Sequence, residues 1–295
     1  MRERIRALEQ RARELDPGPE TRRDLLEQCR HYAESFLQEL PLKNTYVADT
    51  GRKGLDAGEF SDEPAEFADL LESFRAEVDT TGILPASGGQ MGYIPGGGLF
   101  PSALGDFIAA VSNRYSGVAF AGPGAADMEG TLLRWMCRLV GYPENASGDL
   151  TSGGTMATLS AVVTARDAHV IDYRAIPRAC VYMTAQAHHC VGTALNVAGL
   201  KDVQRRIVPM DKRFRMDASV LRSMVAKDAE AGLQPWLIVG SAGTTDTGAV
   251  DPIRQLANIA QEFGLWFHLD AAYGGFFILT DEGRAVLKGM GHADS

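Results

Sequence analysis

Positive charge is scarce in this sequence. Lys and Arg together number 29 against 38 Asp and Glu, giving a formal net charge of −9 over 295 residues. That balance disfavours nucleic acid, whose affinity rests on neutralised phosphates, and an anionic membrane surface. Long apolar runs are missing too. None approaches the roughly 20 residues of a transmembrane helix. The opening MRERIRALEQRARELDPG lacks the apolar core of a signal peptide. There are only four cysteines, Cys29, Cys137, Cys180 and Cys190, with no CxxC pair. Neither a disulfide framework nor a metal centre is expected, because the His and Cys residues lack ligand spacing. A cytoplasmic chain with free thiols is the expectation. No GxSxG, no GxGxxG and no Gly-Lys-Ser/Thr loop occurs, which argues against a serine hydrolase, a dinucleotide fold and a Walker nucleotide site.

What the chain does have is core material, at 45% hydrophobic and 23% charged. Residues 1–15 read as a charged helix broken by Pro17, Gly18 and Pro19. A second helix follows, with Leu25, Cys29, Tyr32 and Phe36 on one face. Residues 42–63 read as a polar linker or ordered loop, and 64–79 as a helix. A Gly-rich region follows from about residue 80, then helical patterns at 101–115 and 125–140. Beyond Gly154 the chain alternates. Apolar strands are expected at 180–184, 205–210, 235–242 and 265–270, with helices at about 154–170, 188–198, 217–231 and 252–263. Such alternation predicts an α/β fold with a mainly parallel sheet flanked by helices. Ligands of such sheets sit at the carboxyl ends of the strands.

Four clusters fall at those ends. Thr151-Ser152-Gly153-Gly154-Thr155 precedes a helix, where free N–H groups and the positive dipole end could cradle a phosphate. The ordinary alternative is a helix cap after a turn. Asp270 closes an apolar strand and is followed by Ala271-Ala272-Tyr273-Gly274-Gly275. A buried carboxylate needs a partner, and a protonated pyridine nitrogen would be one. A loop cap is the plain alternative. His188, in Gln186-Ala187-His188-His189, could stack on a flat cofactor or serve only structure; His189 reads as a bystander. Gly243-Thr244-Thr245-Asp246-Thr247-Gly248 could hydrogen-bond a cofactor or form a self-bonded turn.

The runs LTSGGTMATLSAVVTAR, AQAHHCV, GSAGTTDTGAVDPI, WFHLDAAYGG and ADS, with GYIPGGGLFPSALGDFIAAVSN upstream, resemble in order and spacing the group II pyridoxal-phosphate-dependent amino-acid decarboxylases. The resemblance covers roughly residue 20 to the end. It implies the transferase fold type I of pyridoxal phosphate enzymes, with an N-terminal helical arm over 1–80 that dimerises. The cofactor-binding large domain would span 81–295, incomplete at its C-terminal end, with the small C-terminal domain absent. It implies that Gly154 and Thr155 hold the phosphate and that His188 stacks on the ring. Thr245 would hydrogen-bond the cofactor, Asp270 would pair with the pyridinium, and Ala272 would pack against the ring. Tyr93, Pro95 and Gly96 match a stretch that lines the substrate pocket. Met156 and Gly96 depart from residues common in relatives, so neither helps to identify the substrate.

The resemblance also implies a Schiff-base lysine about seven residues beyond Ser295. None of the six lysines present, Lys43, Lys53, Lys201, Lys212, Lys227 and Lys288, fits that role; Lys288 reads as a solvated helix residue. The expected activity is decarboxylation of an L-amino acid, with aromatic substrates favoured by family frequency, by a homodimer. An aldehyde synthase or carbon–carbon lyase of the same fold and a non-catalytic fragment are the alternatives.

Overall fold

A computed structural model describes residues 1–48, 64–92 and 94–295. The chain divides into two compact units, Met1–Ile108 and Ala109–Ser295. Among the described residues, no helix is long and apolar enough to cross a membrane.

The first unit begins with α1 (Arg2–Ala12), which carries no buried residue. Helix α2 (Pro19–Glu39) starts on Pro19, whose missing N–H costs nothing in the first turn. Its Tyr32 ring meets Phe74 of α3 (Phe67–Glu77) edge-on, with centroids 5.9 Å apart. The Arg75 guanidinium lies over the same ring at 5.2 Å. Leu25, Tyr32 and Phe36 are half-buried as the pattern predicts, but Cys29 is exposed. The contacts from α3 fall at the Tyr32 end of the face, and those described do not reach Cys29. Part of the expected loop is a strand. Within it β1 (Tyr46–Val47) pairs antiparallel with β2 (Gly82–Ile83). Residues 49–63 of that stretch lie outside the described residues. Helix α4 (Phe100–Ser112) crosses the boundary between the units.

The second unit is the α/β body. After α5 (Pro123–Val140), the order is α6 (Gly154–Ala168), β3 (Ala179–Met183), α7 (Cys190–Val197), β4 (Gln204–Ile207), α8 (Ala218–Glu230), β5 (Gln234–Ser241), α9 (Ile253–Phe263), β6 (Trp266–Asp270) and α10 (Asp281–Val286). The sheet order is β4-β3-β5-β6, with all pairs parallel. From β3 the chain steps outward to β4, then returns to add β5 on the other side. That reversal puts α7 on one face with α6, and α8 and α9 on the other.

The strands feed both faces alternately. Tyr182, Ile238 and Phe267 enter the α8/α9 layer, while Val181, Val239 and Met183 enter the α6/α7 layer. Trp236, Tyr182 and Phe267 are fully buried, each contributing about 2–3 kcal/mol of hydrophobic stabilisation. Tyr182 donates its hydroxyl to Asp228 at 2.7 Å, and Arg206 holds both oxygens of that carboxylate at 2.9 Å. This ties β3, β4 and α8 together. Strand β4 ends at Ile207, short of the expected Met210, because Pro209 has no N–H to offer the ladder. Lys288 is exposed as expected, but it sits in the turn past α10 rather than in a helix.

Candidate active site

The carboxyl ends of β3, β5 and β6 lie side by side, and the start of α6 reaches the same edge. The direction of α6 follows from its far end. His169, just past its last turn, packs its ring against Trp266 and Trp236, with centroids 6.4 and 6.5 Å away. Those residues lie at the beginnings of β6 and β5. Since α6 also touches β6, it runs back along that strand and brings Gly154 and Thr155 toward the Asp270 end. Helix α8 is capped by Asp217 and α10 by Thr280, but α6 begins at Gly153 with no side-chain cap. Its first N–H groups therefore have no acceptor within the helix. A Cβ at Gly154 would meet nothing within 4 Å.

After β3, Thr184 is buried and its hydroxyl accepts from the Gln186 N–H at 3.2 Å. The Gln186 side-chain oxygen is buried without a partner among the described residues. His188 is half-buried, and its Nδ1 accepts from the Cys190 N–H at 3.3 Å at the start of α7. That bond fixes the ring and leaves its proton on Nε2. Cys190 Sγ lies 3.5 Å from the Thr158 hydroxyl of α6. Burial pushes the Cys190 thiol up, the Thr158 hydrogen bond opposes this, and the charge of Asp270 adds to the rise. The carboxylate is thus electrostatically close to where α6 and α7 meet.

After β5, the chain makes a tight turn. Thr244 is buried, and its hydroxyl lies 2.7 Å from that of Thr247 and accepts from the Ala249 N–H at 3.2 Å. Thr245 beside it is half-buried. Asp251 closes the turn from below by accepting from Ser241 N–H at 2.8 Å and Met216 N–H at 2.6 Å. Burial pushes its carboxyl up, and the two N–H groups offset only part of that.

After β6, Asp270 is paired in register with Ser241, and one of its oxygens accepts from the Ala272 N–H at 3.1 Å. Among the described residues no other hydrogen bond reaches that carboxylate. Ala272 is exposed. The loop that follows rests directly on the β5 turn. A Cβ on Gly274 would lie 2.0 Å from the Ala242 carbonyl oxygen. Gly243, at φ +100°, faces the Tyr273 ring, which a Cβ would meet at 3.1 Å.

Gly154, Thr155, His188, Thr245, Asp270 and Ala272 all therefore belong to elements that end or begin at one sheet edge. Pro95 and Gly96 lie in an exposed irregular stretch of the first unit. Tyr93 lies outside the described residues. Of the lysines, Lys227 is exposed on α8, and Lys201, Lys212 and Lys288 are exposed in turns. Sequence reasoning missed Asp251 and a trio of Trp266, His268 and Ser295, of which His268 is buried and the other two half-buried. The bury-a-carboxylate argument applied to Asp270 would have found Asp251, which sits one residue before Pro252.

Comparison with known proteins gives a single answer. An aromatic-L-amino-acid decarboxylase of Bacillus atrophaeus is 35% identical over 205 residues, covering 70% of this chain and 42% of that protein. A phenylacetaldehyde synthase of Petunia hybrida is 30% identical over 250 residues, covering 81% of this chain and 49% of that protein. The chain thus spans about half the length of the curated relatives it matches. Among solved structures, Catharanthus roseus tryptophan decarboxylase with L-tryptophan superposes with a TM-score of 0.85 at 21% identity, over 94% of this chain and 60% of that one. Rhodiola rosea 4-hydroxyphenylacetaldehyde synthase gives 0.82 at 22% identity, over 94% and 62%. These superpositions identify the fold as type I of the pyridoxal phosphate enzymes. Residues 52–295 match the family described as the pyridoxal-dependent decarboxylase conserved domain, so the chain belongs to the pyridoxal-dependent decarboxylases.

Proposed function

We propose that this chain supplies the cofactor-holding body of an enzyme that decarboxylates an L-amino acid, with aromatic amino acids as the favoured class. The observation that carries the reading is Asp270. It is a carboxylate at a strand end, with one oxygen bonded to Ala272 N–H and the other without a protein partner among the described residues, on a strand that the uncapped helix α6 touches. An anionic phosphate suits the helix start, and a cationic ring nitrogen suits the carboxylate, so the residues fit pyridoxal phosphate. The activities named for relatives in Bacillus atrophaeus and Papaver somniferum support the choice of substrate class.

Each residue then has a definite task. Gly154 and Thr155 hold the phosphate through backbone N–H groups and the Thr155 hydroxyl. Asp270 keeps a proton on the pyridine nitrogen by opposing its charge. His188 lays its fixed ring over the cofactor face, with Nε2–H free to donate. Thr245 offers a hydroxyl to the cofactor, and Ala272 leaves room for a flat ring. Tyr93, Pro95 and Gly96 are assigned to the substrate pocket on resemblance alone. When bound, pyridoxal phosphate supplies an electron sink for the pair left by departing carbon dioxide.

The partner surface is read as a homodimer contact. Phe100, Leu104, Phe107, Ile108 and Val111 of α4 are all exposed, a large apolar face for a monomer to leave in water. A helical arm over 1–80 and a large domain over 81–295 remain our domain assignment. A cytoplasmic location is inferred from four free thiols. An aldehyde synthase is the second reading, favoured by the phenylacetaldehyde synthases among the relatives.

The test is direct. The holoenzyme is incubated with aromatic L-amino acids, and amine plus carbon dioxide is scored against aldehyde plus hydrogen peroxide. Asp270→Ala is expected to lower turnover at least about 100-fold while pyridoxal phosphate still binds. Undiminished turnover in that variant would refute the role of Asp270.

A further inference from the structure

Strand β6 alternates its side chains, so Trp266, His268 and Asp270 share one face. The middle residue is unusual. His268 is almost wholly buried, and its Nε2 has no hydrogen-bond partner among the described residues. Its Nδ1 lies 3.0 Å from the Ser295 hydroxyl oxygen. That oxygen also accepts from Trp266 Nε1–H at 2.9 Å. Indole can only donate, so the Ser295 oxygen is an acceptor there. The Ser295 hydroxyl can then give its proton to His268 Nδ1, and the Ser295 backbone carbonyl also lies close enough to hydrogen-bond the ring. An accepting Nδ1 on a neutral imidazole puts the ring proton on Nε2.

A buried N–H without a partner costs free energy and calls for an explanation. Asp270 lies two residues along the same face and has a free oxygen. Two residues of strand span about 6.6 Å, too far for a direct bond between two side chains standing side by side, and suited to one bridging water. We propose that His268 is a positioning residue for Asp270. Ser295, itself anchored by Trp266, locks His268 in its Nε2–H form, and that N–H orients the Asp270 carboxylate through one buried water. The carboxylate is then held from both sides, by Ala272 N–H on one oxygen and by the His268 relay on the other. This rests on Asp270 being the partner of the cofactor nitrogen.

The first measurement is the imidazole ¹⁵N spectrum of the histidine-labelled protein, without and with pyridoxal phosphate. His268 is expected as the neutral Nε2–H form in wild type, and as a mixture of tautomers in Ser295→Ala. A dominant Nδ1–H form or an imidazolium in wild type overturns the proposal. The second is a spectral titration with pyridoxal phosphate. His268→Gln keeps a donor near the Nε2 position and is expected to bind within a few-fold of wild type. His268→Asn offers its donor only near Nδ1 and is expected to bind about tenfold more weakly or worse. Equal affinity of the two variants also overturns it. If wild type binds no pyridoxal phosphate, the function proposed above fails, while the tautomer measurement on the free protein still decides the relay.

Discussion

Replacing Gly274 by Ala probes whether the site is built as described. The two loops that frame Asp270 touch backbone to backbone there. An added Cβ would lie 2.0 Å from the Ala242 carbonyl oxygen and 2.9 Å from its carbon. An ordinary carbon–oxygen contact is about 3.3 Å, so one loop must retreat by roughly 1 Å. No flexible side-chain end can absorb the clash, because the opposing atom is backbone. Overpacking of this kind costs about 1–3 kcal/mol, which in a domain of this size lowers Tm by about 2–10 °C. A displacement near 1 Å beside Asp270 also suffices to reduce activity about 100-fold. Thermal unfolding measures the first effect, and turnover together with pyridoxal phosphate titration measures the second. Gly264→Ala is the control, since its φ of +68° carries backbone strain but a Cβ there meets nothing within 4 Å. It should lose about 1 kcal/mol of stability and leave cofactor affinity alone. If Gly274→Ala bound pyridoxal phosphate as wild type does, with unchanged Tm, the loop-on-loop account of the site would be wrong.

Two further outcomes are expected. Asp228→Asn leaves Arg206 without its counter-charge and should destabilise by about 2–4 kcal/mol in urea at pH 7. Burial alone would raise the Asp228 carboxyl, but Arg206 and Tyr182 outweigh it and hold it below the usual range. Its contribution is therefore complete above the unfolded value near pH 4 and is lost as pH falls below that, so the variant should show a shallower acid limb. Thr244→Val removes a buried hydroxyl that joins Thr247 to the Ala249 N–H, and should cost about 1 kcal/mol by thermal unfolding. A neutral result would mean that the turn holds itself without that hydroxyl.

The α/β body was legible because its strands are short continuous apolar runs. CVYM and WLIVGS are buried on both faces, and runs this short, alternating with amphipathic helices, suit a covered parallel sheet. The position of the candidate residues at the ends of elements was legible for a related reason. Asp270 and the Gly153-Gly154 pair are costly or weak choices inside an element, so each advertises its end. The β1–β2 pair was not legible, because two-residue strands are too short to show a period. Cys29 misled because spacing tells which side chains share a face but not how far a neighbour covers it. His268 was invisible as a polar centre, since its ring meets Ser295, 27 residues further along the chain. Which hydroxyl of Thr244 and Thr245 points inward is likewise decided by the turn, not by composition.

The sheet order has a consequence for how the molecule comes together. β3 pairs with β4 after a separation of about 24 residues, but with β5 only after about 55, as Cys180↔Gln204 and Ala179↔Gln234 register. Asp270 arrives one strand later still. The pieces that meet at the sheet edge are thus distant in sequence, and such contacts close slowly during folding. Any ligand bridging α6 and β6 would be absent from partly folded chains and would deepen only the native well, by RT ln(1 + [L]/Kd). Scarcity of that ligand would then shorten the lifetime of the protein as well as remove its catalysis.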